Sequence, residues 1–153
     1  MQITETVIKV NEEVKRLMVT KIKDLCDGSF NGKTIAVLGV TFKPNTDDMR
    51  DAPSLAIVPA LIGGGAKVRV VDPQGRSEGE ALLPGAIWVE DAYDATADAE
   101  AVVLLTEWNE FRALDLGRMA KGMASAKMAD LRNIYSPSEA ERAGFEAYVA
   151  VGR

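Results

Sequence analysis

Apolar residues in the first 25 positions recur at helical spacing. Ile3, Val7, Val10, Val14, Leu17 and Ile22 form one stripe, and Glu5, Lys9, Glu12, Glu13, Lys15 and Lys23 fill the other faces. The pattern predicts a helix over 3–25. Glu12 and Arg16 stand as an i,i+4 pair in the favourable order. Asp27-Gly28-Ser29 ends this helix, with Gly28 suited to the left-handed conformation. From Gly32 onward the period changes. Residues 34–40 are a nearly unbroken apolar run, as expected of a strand buried on both faces. A helix over 53–62 follows, with Pro53 near its first turn and Gly63-Gly64-Gly65 as its stop. Residues 67–72 read as a strand closed by Pro73, 74–85 as loop or weak helix, and 87–89 as a short strand. A short helix over 91–98, a buried strand over 101–105 and a helix over 114–123 come next. The chain closes with a strand over 127–131, a helix over 138–143 and a strand over 145–149.

Strands alternating with helices make βαβ units, hence right-handed crossovers with helices on both faces of the sheet. The expected fold class is α/β: a three-layer α/β/α, Rossmann-like domain with a mostly parallel sheet, preceded by the long N-terminal helix. Ligands of such sheets gather beyond the carboxyl ends of the strands, where the strand order reverses. The segments of interest are therefore those after Val40, Asp72, Leu105 and Leu131.

Composition narrows the chemistry. Of 153 residues, 47% are hydrophobic and 27% charged, enough apolar material for a buried core. The net charge of -5 gives no electrostatic support for nucleic acid or an anionic membrane as partner. An anionic ligand must be held by a few placed cations or backbone N–H groups. One cysteine, Cys26, and no histidine exclude a disulfide, a Cys/His metal cluster and a Ser–His–Asp triad within this chain. No metal site and no catalytic residue is expected. The sequence has no signal-peptide pattern, and no apolar run approaches the roughly 18 residues of a membrane span, so a cytoplasmic location is expected.

The loop after the first strand runs Thr41-Phe42-Lys43-Pro44-Asn45-Thr46-Asp47-Asp48-Met49-Arg50-Asp51-Ala52. It is longer than the usual βα connection of about 2–6 residues. Lys43 could meet a phosphate and Phe42 could face a base, or the loop could be a solvated charged segment whose aspartates cap the next helix. The dinucleotide fingerprint G-x-G-x-x-G is absent, because Gly63-Gly64-Gly65 follows a helix instead of opening one. Cys26 has no base or cationic cluster beside it in sequence and reads as an incidental thiol before a nucleophile. Trp108 and Phe111 read as packing before ligand contact, Thr106 and Glu107 as the better-placed polar pair, and Trp88 as packing. Asp94, Asp98 and Glu100 read as a solvated acidic face.

The segment Gly39-Val40-Thr41-Phe42-Lys43-Pro44-Asn45-Thr46-Asp47-Asp48-Met49-Arg50-Asp51-Ala52-Pro53-Ser54 closely resembles the C-terminal domain signature of the UDP-glucose and GDP-mannose dehydrogenase family. Gly65-Ala66, Asp72-Pro73, Thr106-Glu107-Trp108-Asn109-Glu110-Phe111 and Asp130-Leu131-Arg132-Asn133 support it in the same order. The resemblance covers about residues 32–149. It implies that residues 1–28 end an inter-domain linker helix and that 32–153 form a UDP-binding domain. By the same resemblance the intact enzyme oxidises a nucleotide sugar, UDP-glucose to UDP-glucuronate, with NAD and a catalytic cysteine. Phe42, Lys43 and Arg132 match substrate-binding positions, and Arg50 matches an arginine that reaches the NAD. Asp47 and Asp48 would orient Lys43 and Arg50. The NAD would be held mainly by the enzyme's own N-terminal domain, and the linker helix would support a homodimer. This chain, without the NAD fingerprint and the catalytic cysteine's surroundings, is expected to be inactive alone. Two alternatives remain: the same domain of a GDP-mannose or UDP-N-acetylsugar dehydrogenase, or a non-catalytic α/β interaction module.

Overall fold

Six short runs rich in β-branched and apolar residues pair into one sheet in a computed structural model, which describes residues 2–41, 43–50 and 52–151. Of α1, the side chains from Glu12 onward are described, so the stripe positions Ile3, Val7 and Val10 lie outside them. The strands are β1 (Thr34–Leu38), β2 (Lys67–Val71), β3 (Ile87–Trp88), β4 (Ala101–Leu104), β5 (Lys127–Asp130) and β6 (Ala147–Ala150). Every pair is parallel, and the order is β3-β2-β1-β4-β5-β6. The first three strands step one way from β1 and the last three step the other. The order therefore reverses between β1 and β4, and the crevice that this topology offers a ligand opens above their carboxyl ends.

The helices are α1 (Gln2–Leu25), α2 (Ser54–Gly63), α3 (Arg76–Leu82), α4 (Ala92–Thr96), α5 (Asn109–Arg112), α6 (Leu116–Gly122) and α7 (Pro137–Ala143). Alternate residues of each strand face opposite layers, so the sheet separates two cores. Ile35 and Val37 of β1 join Ile22 and Leu25 of α1 and Ile57, Val58 and Leu61 of α2. Ala36 and Leu38 join Phe111, Leu116, Met119 and Ala140 on the other side. Both faces of β1 are thus buried, which is why its sequence is apolar without alternation.

The last turns of α1 belong to the first core: Ile22 is fully buried, as nearly are Leu25 and Cys26. Leu17 and Val14, about one and two turns earlier, are 61% and 39% exposed. Lys21 Nζ donates to the Ala150 carbonyl at 3.0 Å, and Lys127 pairs with Asp27 at 2.9 Å, which pins the helix end to the β5–β6 edge. The lysine holds the Asp27 carboxyl below its usual range and is itself raised by it.

Several expectations are corrected. Glu12 meets Lys15 at 3.5 Å, an i,i+3 contact in place of the expected pair with Arg16. The weakly helical reading of 74–85 holds as α3 (Arg76–Leu82), whose signal in sequence is weakened by Gly79. A Cβ there would lie 2.5 Å from the Trp88 ring, so the indole occupies the space that a side chain would need. The helix expected over 114–123 begins at Leu116, where the Asp115 side chain caps it by accepting from Arg118 N at 3.1 Å. A separate turn, α5, precedes it. Helix α7 starts at Pro137 under a Ser136–Glu139 capping box. Glu100 is not simply solvated, because its carboxylate accepts from Thr34 N at 2.6 Å and caps the start of β1.

Candidate functional site

The carboxyl ends of β2, β1, β4 and β5 are tied to one another by side chains. Asp72, directly after β2, makes the first tie. One of its oxygens accepts from Val40 N (2.8 Å), Thr41 N (3.1 Å) and Thr41 Oγ1 (3.0 Å). The other accepts from Gln74 N (3.0 Å) and Gly75 N (2.7 Å). A buried carboxylate with both oxygens saturated by donors is fixed in place and fixes what surrounds it. In dinucleotide domains an acidic residue about 20 residues beyond the glycine turn takes a ribose hydroxyl. Here the carboxylate that ends β2 is already spent on the chain itself, and no glycine-rich turn opens α2. The residues at this first βα turn do not fit a dinucleotide.

Thr106, after β4, makes the second tie. It is fully buried, and its Oγ1 donates to the Thr41 carbonyl at 2.8 Å. The chain can approach this closely because residue 39 is glycine. Gly39 has φ +90, and a Cβ there would collide with Thr106 Cβ and lie 2.7 Å from its Oγ1. Ser54 Oγ donates to the Val40 carbonyl at 2.6 Å and fastens the start of α2 beneath the same loop.

Glu107 makes the third tie. Its Oε1 accepts from Arg132 Nη2 at 3.2 Å and its Oε2 from Arg112 Nη2 at 2.7 Å. Arg132 lies two residues beyond β5, on a turn held from below. The Asp130 carboxylate, fully buried, accepts from Ile134 N (2.9 Å), Tyr135 N (2.7 Å) and the Tyr148 hydroxyl (2.9 Å). Asn133, at φ 54, turns the chain within that loop.

The sequence-expected site residues separate in this frame. Lys43 is exposed on the loop above β1, and its carbonyl accepts from Thr41 Oγ1 at 3.2 Å. Arg132 stands on the same rim, two strands away. Arg50 lies further along the β1–α2 loop, gripped by both oxygens of Asp48 at 3.1 Å. That hydrogen-bonded pairing depresses the Asp48 carboxyl. Phe42 lies outside the described residues. The reading of the loop's aspartates as helix caps does not hold for Asp48, which bonds Arg50, and α2 begins at Ser54, behind Pro53, with no side-chain cap. What sequence reasoning missed is the connecting set: Asp72 as anchor, Gly39 against Thr106, and Glu107 between two guanidiniums. The polar pair Thr106-Glu107 was visible at a strand end, but the partners were not.

The remaining singled-out residues take structural places. Trp108 and Phe111 are buried in the second core. Cys26 is buried in the first, and burial pushes its thiol above the usual range. Iodoacetamide at neutral pH should therefore modify Cys26 at least about tenfold more slowly in the native protein than in denaturant, the thiolate being the reactive form. Equal rates by mass spectrometry would contradict this burial. Among the described residues no cluster of metal-ligating side chains occurs, and no helix is long and apolar enough to cross a membrane.

Comparison with known proteins identifies the family. The family model described as "UDP-glucose/GDP-mannose dehydrogenase family, UDP binding domain" matches residues 36–137, which contain all three ties. A UDP-glucose 6-dehydrogenase from Rhizobium meliloti is 46% identical over 99% of this chain, and one from Rickettsia bellii is 36% identical over 96%. This chain spans only about a third of their length, 35% and 34% respectively. Among solved structures, a UDP-glucose dehydrogenase from Pyrobaculum islandicum superposes with a TM-score of 0.80 at 29% identity, covering 97% of this chain and 32% of that one.

Proposed function

Because the chain belongs to the UDP-glucose/GDP-mannose dehydrogenase family and carries its UDP binding domain, we propose that it holds the nucleotide of UDP-glucose on the tied rim. The observation that carries this reading is the rim itself. Lys43 and Arg132 lie beyond the carboxyl ends of β1 and β5, one on each side of the reversal of strand order, on loops fixed by Asp72, Thr106 and Glu107. A net charge of -5 leaves a diphosphate little general attraction, so placed cations must hold it. The full enzyme is a UDP-glucose 6-dehydrogenase, with Phe42 as the third substrate contact. UDP-glucose is favoured over GDP-mannose or a UDP-N-acetylsugar by the names of the relatives of higher identity.

NAD belongs to the part of the enzyme outside this chain, since the first βα turn here does not fit it. Arg50 is the residue of this chain directed at that cofactor. The chain alone is inactive, having no accessible thiol for the covalent steps. The exposed stripe through Val14 and Leu17 on α1 is the seat of the N-terminal domain or of a second subunit.

The direct test is UDP titration by calorimetry. Each charge-assisted hydrogen bond contributes roughly 1.5–3 kcal/mol, discounted at an open site. Lys43→Ala and Arg132→Ala are each expected to weaken UDP about tenfold, the equivalent of 1.4 kcal/mol, while Cys26→Ser leaves it unchanged. Equal affinity in all four proteins would place the nucleotide elsewhere.

A further inference from the structure

We infer that Glu107 is a positioning residue that presents Arg132 to the diphosphate, with Arg112 bracing the carboxylate; the inference rests on the reading of Arg132 just given. Glu107 uses one oxygen for each guanidinium, at 3.2 Å to Arg132 and 2.7 Å to Arg112. The three side chains come from the ends of β4, α5 and β5, so the contact is made by the fold and not by one local segment. It carries one negative and two positive charges, and the cluster as a whole attracts an anion.

The geometry gives Arg132 a fixed origin and a fixed direction. Its backbone is set by the Asp130 carboxylate, which accepts from Ile134 N and Tyr135 N, and by the left-handed Asn133. Its long side chain would otherwise sample many rotamers, a freedom that binding would have to remove. Glu107 removes it beforehand. Among the described residues the contact engages only Nη2, so the other N–H groups of the fork remain for a ligand. The side chain is 33% exposed, buried enough to be held and open enough to be reached.

The alternative role for Glu107 is that of a bystander anion, and the two roles predict opposite signs. A carboxylate beside a diphosphate site repels it, so Coulomb's law alone makes its removal tighten UDP. Positioning makes removal weaken UDP, although a negative charge has gone. In calorimetric titrations with UDP, Glu107→Ala is expected to bind about fivefold more weakly than the native chain, somewhat less than the effect of Arg132→Ala. Glu107→Gln, which keeps one acceptor, falls between. The double variant Glu107→Ala/Arg132→Ala binds no more weakly than Arg132→Ala alone, because both changes remove one interaction. The nitrogen NMR signals of the Arg132 guanidinium, slowed by the contact in the native chain, broaden or merge in Glu107→Ala. A purely structural role would leave that signature unmoved. Glu107 is partly exposed, so its variants should fold, and Arg112→Gln supplies a second test with a smaller loss of the same sign.

The outcomes separate cleanly. If Arg132→Ala binds UDP like the native chain, the reading of Arg132 fails and this inference with it. If Arg132→Ala is weakened while Glu107→Ala matches or exceeds native affinity, the reading stands and the positioning role is overturned. Additive losses in the double variant overturn it as well.

Discussion

Gly39→Val is expected to destabilise the domain by about 2–5 kcal/mol, read as a fall in the urea midpoint. Two costs combine. At φ +90 an L side chain is strained, by roughly 1–2 kcal/mol for the Cβ alone. The new atoms also enter space already held by Thr106, with its Oγ1 at 2.7 Å and its backbone nitrogen at 2.8 Å from the first carbon added. Overpacking of that kind costs about 1–3 kcal/mol. The backbone nitrogen cannot move without disturbing the end of β4, which pairs with β1 through Leu38 and Leu104. A total of this size is a large share of the roughly 5–15 kcal/mol by which a domain is stable. Gly63→Ala is the control. Gly63 is helical with nothing within 4 Å of an added Cβ, so the change should raise stability by about 0.4–1 kcal/mol through the unfolded chain. A Gly39→Val protein within about 1 kcal/mol of the native would mean that the β1–β4 approach is looser than described.

Asp72→Ala is expected to cost a comparable amount, about 3–5 kcal/mol, and to abolish measurable UDP binding even where the domain stays folded. The carboxylate accepts from four backbone N–H groups and one hydroxyl, and the sites on Val40, Thr41 and Gly75 are buried. Leaving such donors without partners costs more than the bonds themselves contributed. Asp72→Asn is the sharper variant. An amide offers one oxygen, and its NH2 group must face either the Val40–Thr41 donors or the Gln74–Gly75 donors. Donor then meets donor, so the nearly isosteric change should be almost as severe as alanine. The loss of binding follows because these bonds anchor the segment that carries Lys43. An Asp72→Asn protein as stable as the native, with intact UDP affinity, would remove Asp72 from its place as anchor.

Local order was open to inspection in the chain itself. Strands β1 and β4 and the apolar parts of β2 and β5 are legible because a strand buried on both faces is nearly continuously apolar. Helix α1 is legible because an amphipathic stripe has a period. Lys43 could be singled out as a candidate because it follows a predicted strand, where a parallel sheet collects ligands, and Arg132 through the family resemblance. The absence of histidine excluded whole classes of chemistry before any folding was considered. Weak spots had physical causes. Gly79 blurs α3, and the pairing of Glu12 depends on rotamers that sequence spacing leaves open.

Only the tertiary structure decided which residues hold the rim together. Asp72 reaches across 31 and 32 positions to Thr41 and Val40, Thr106 across 65 to Thr41, and Arg132 across 25 to Glu107. Such distances carry no periodic signal. A carboxylate saturated by backbone donors and a solvated one are the same letter in the chain, and so are a glycine in open space and one pressed against a neighbouring strand. What distinguishes them is which strand lies beside which. That follows from the order β3-β2-β1-β4-β5-β6, which sets β4 beside β1 and β5 beside β4. The sequence by itself thus determined the elements and the chemistry available to them, while strand order decided which side chains meet, because meeting depends on distance in space and not along the chain.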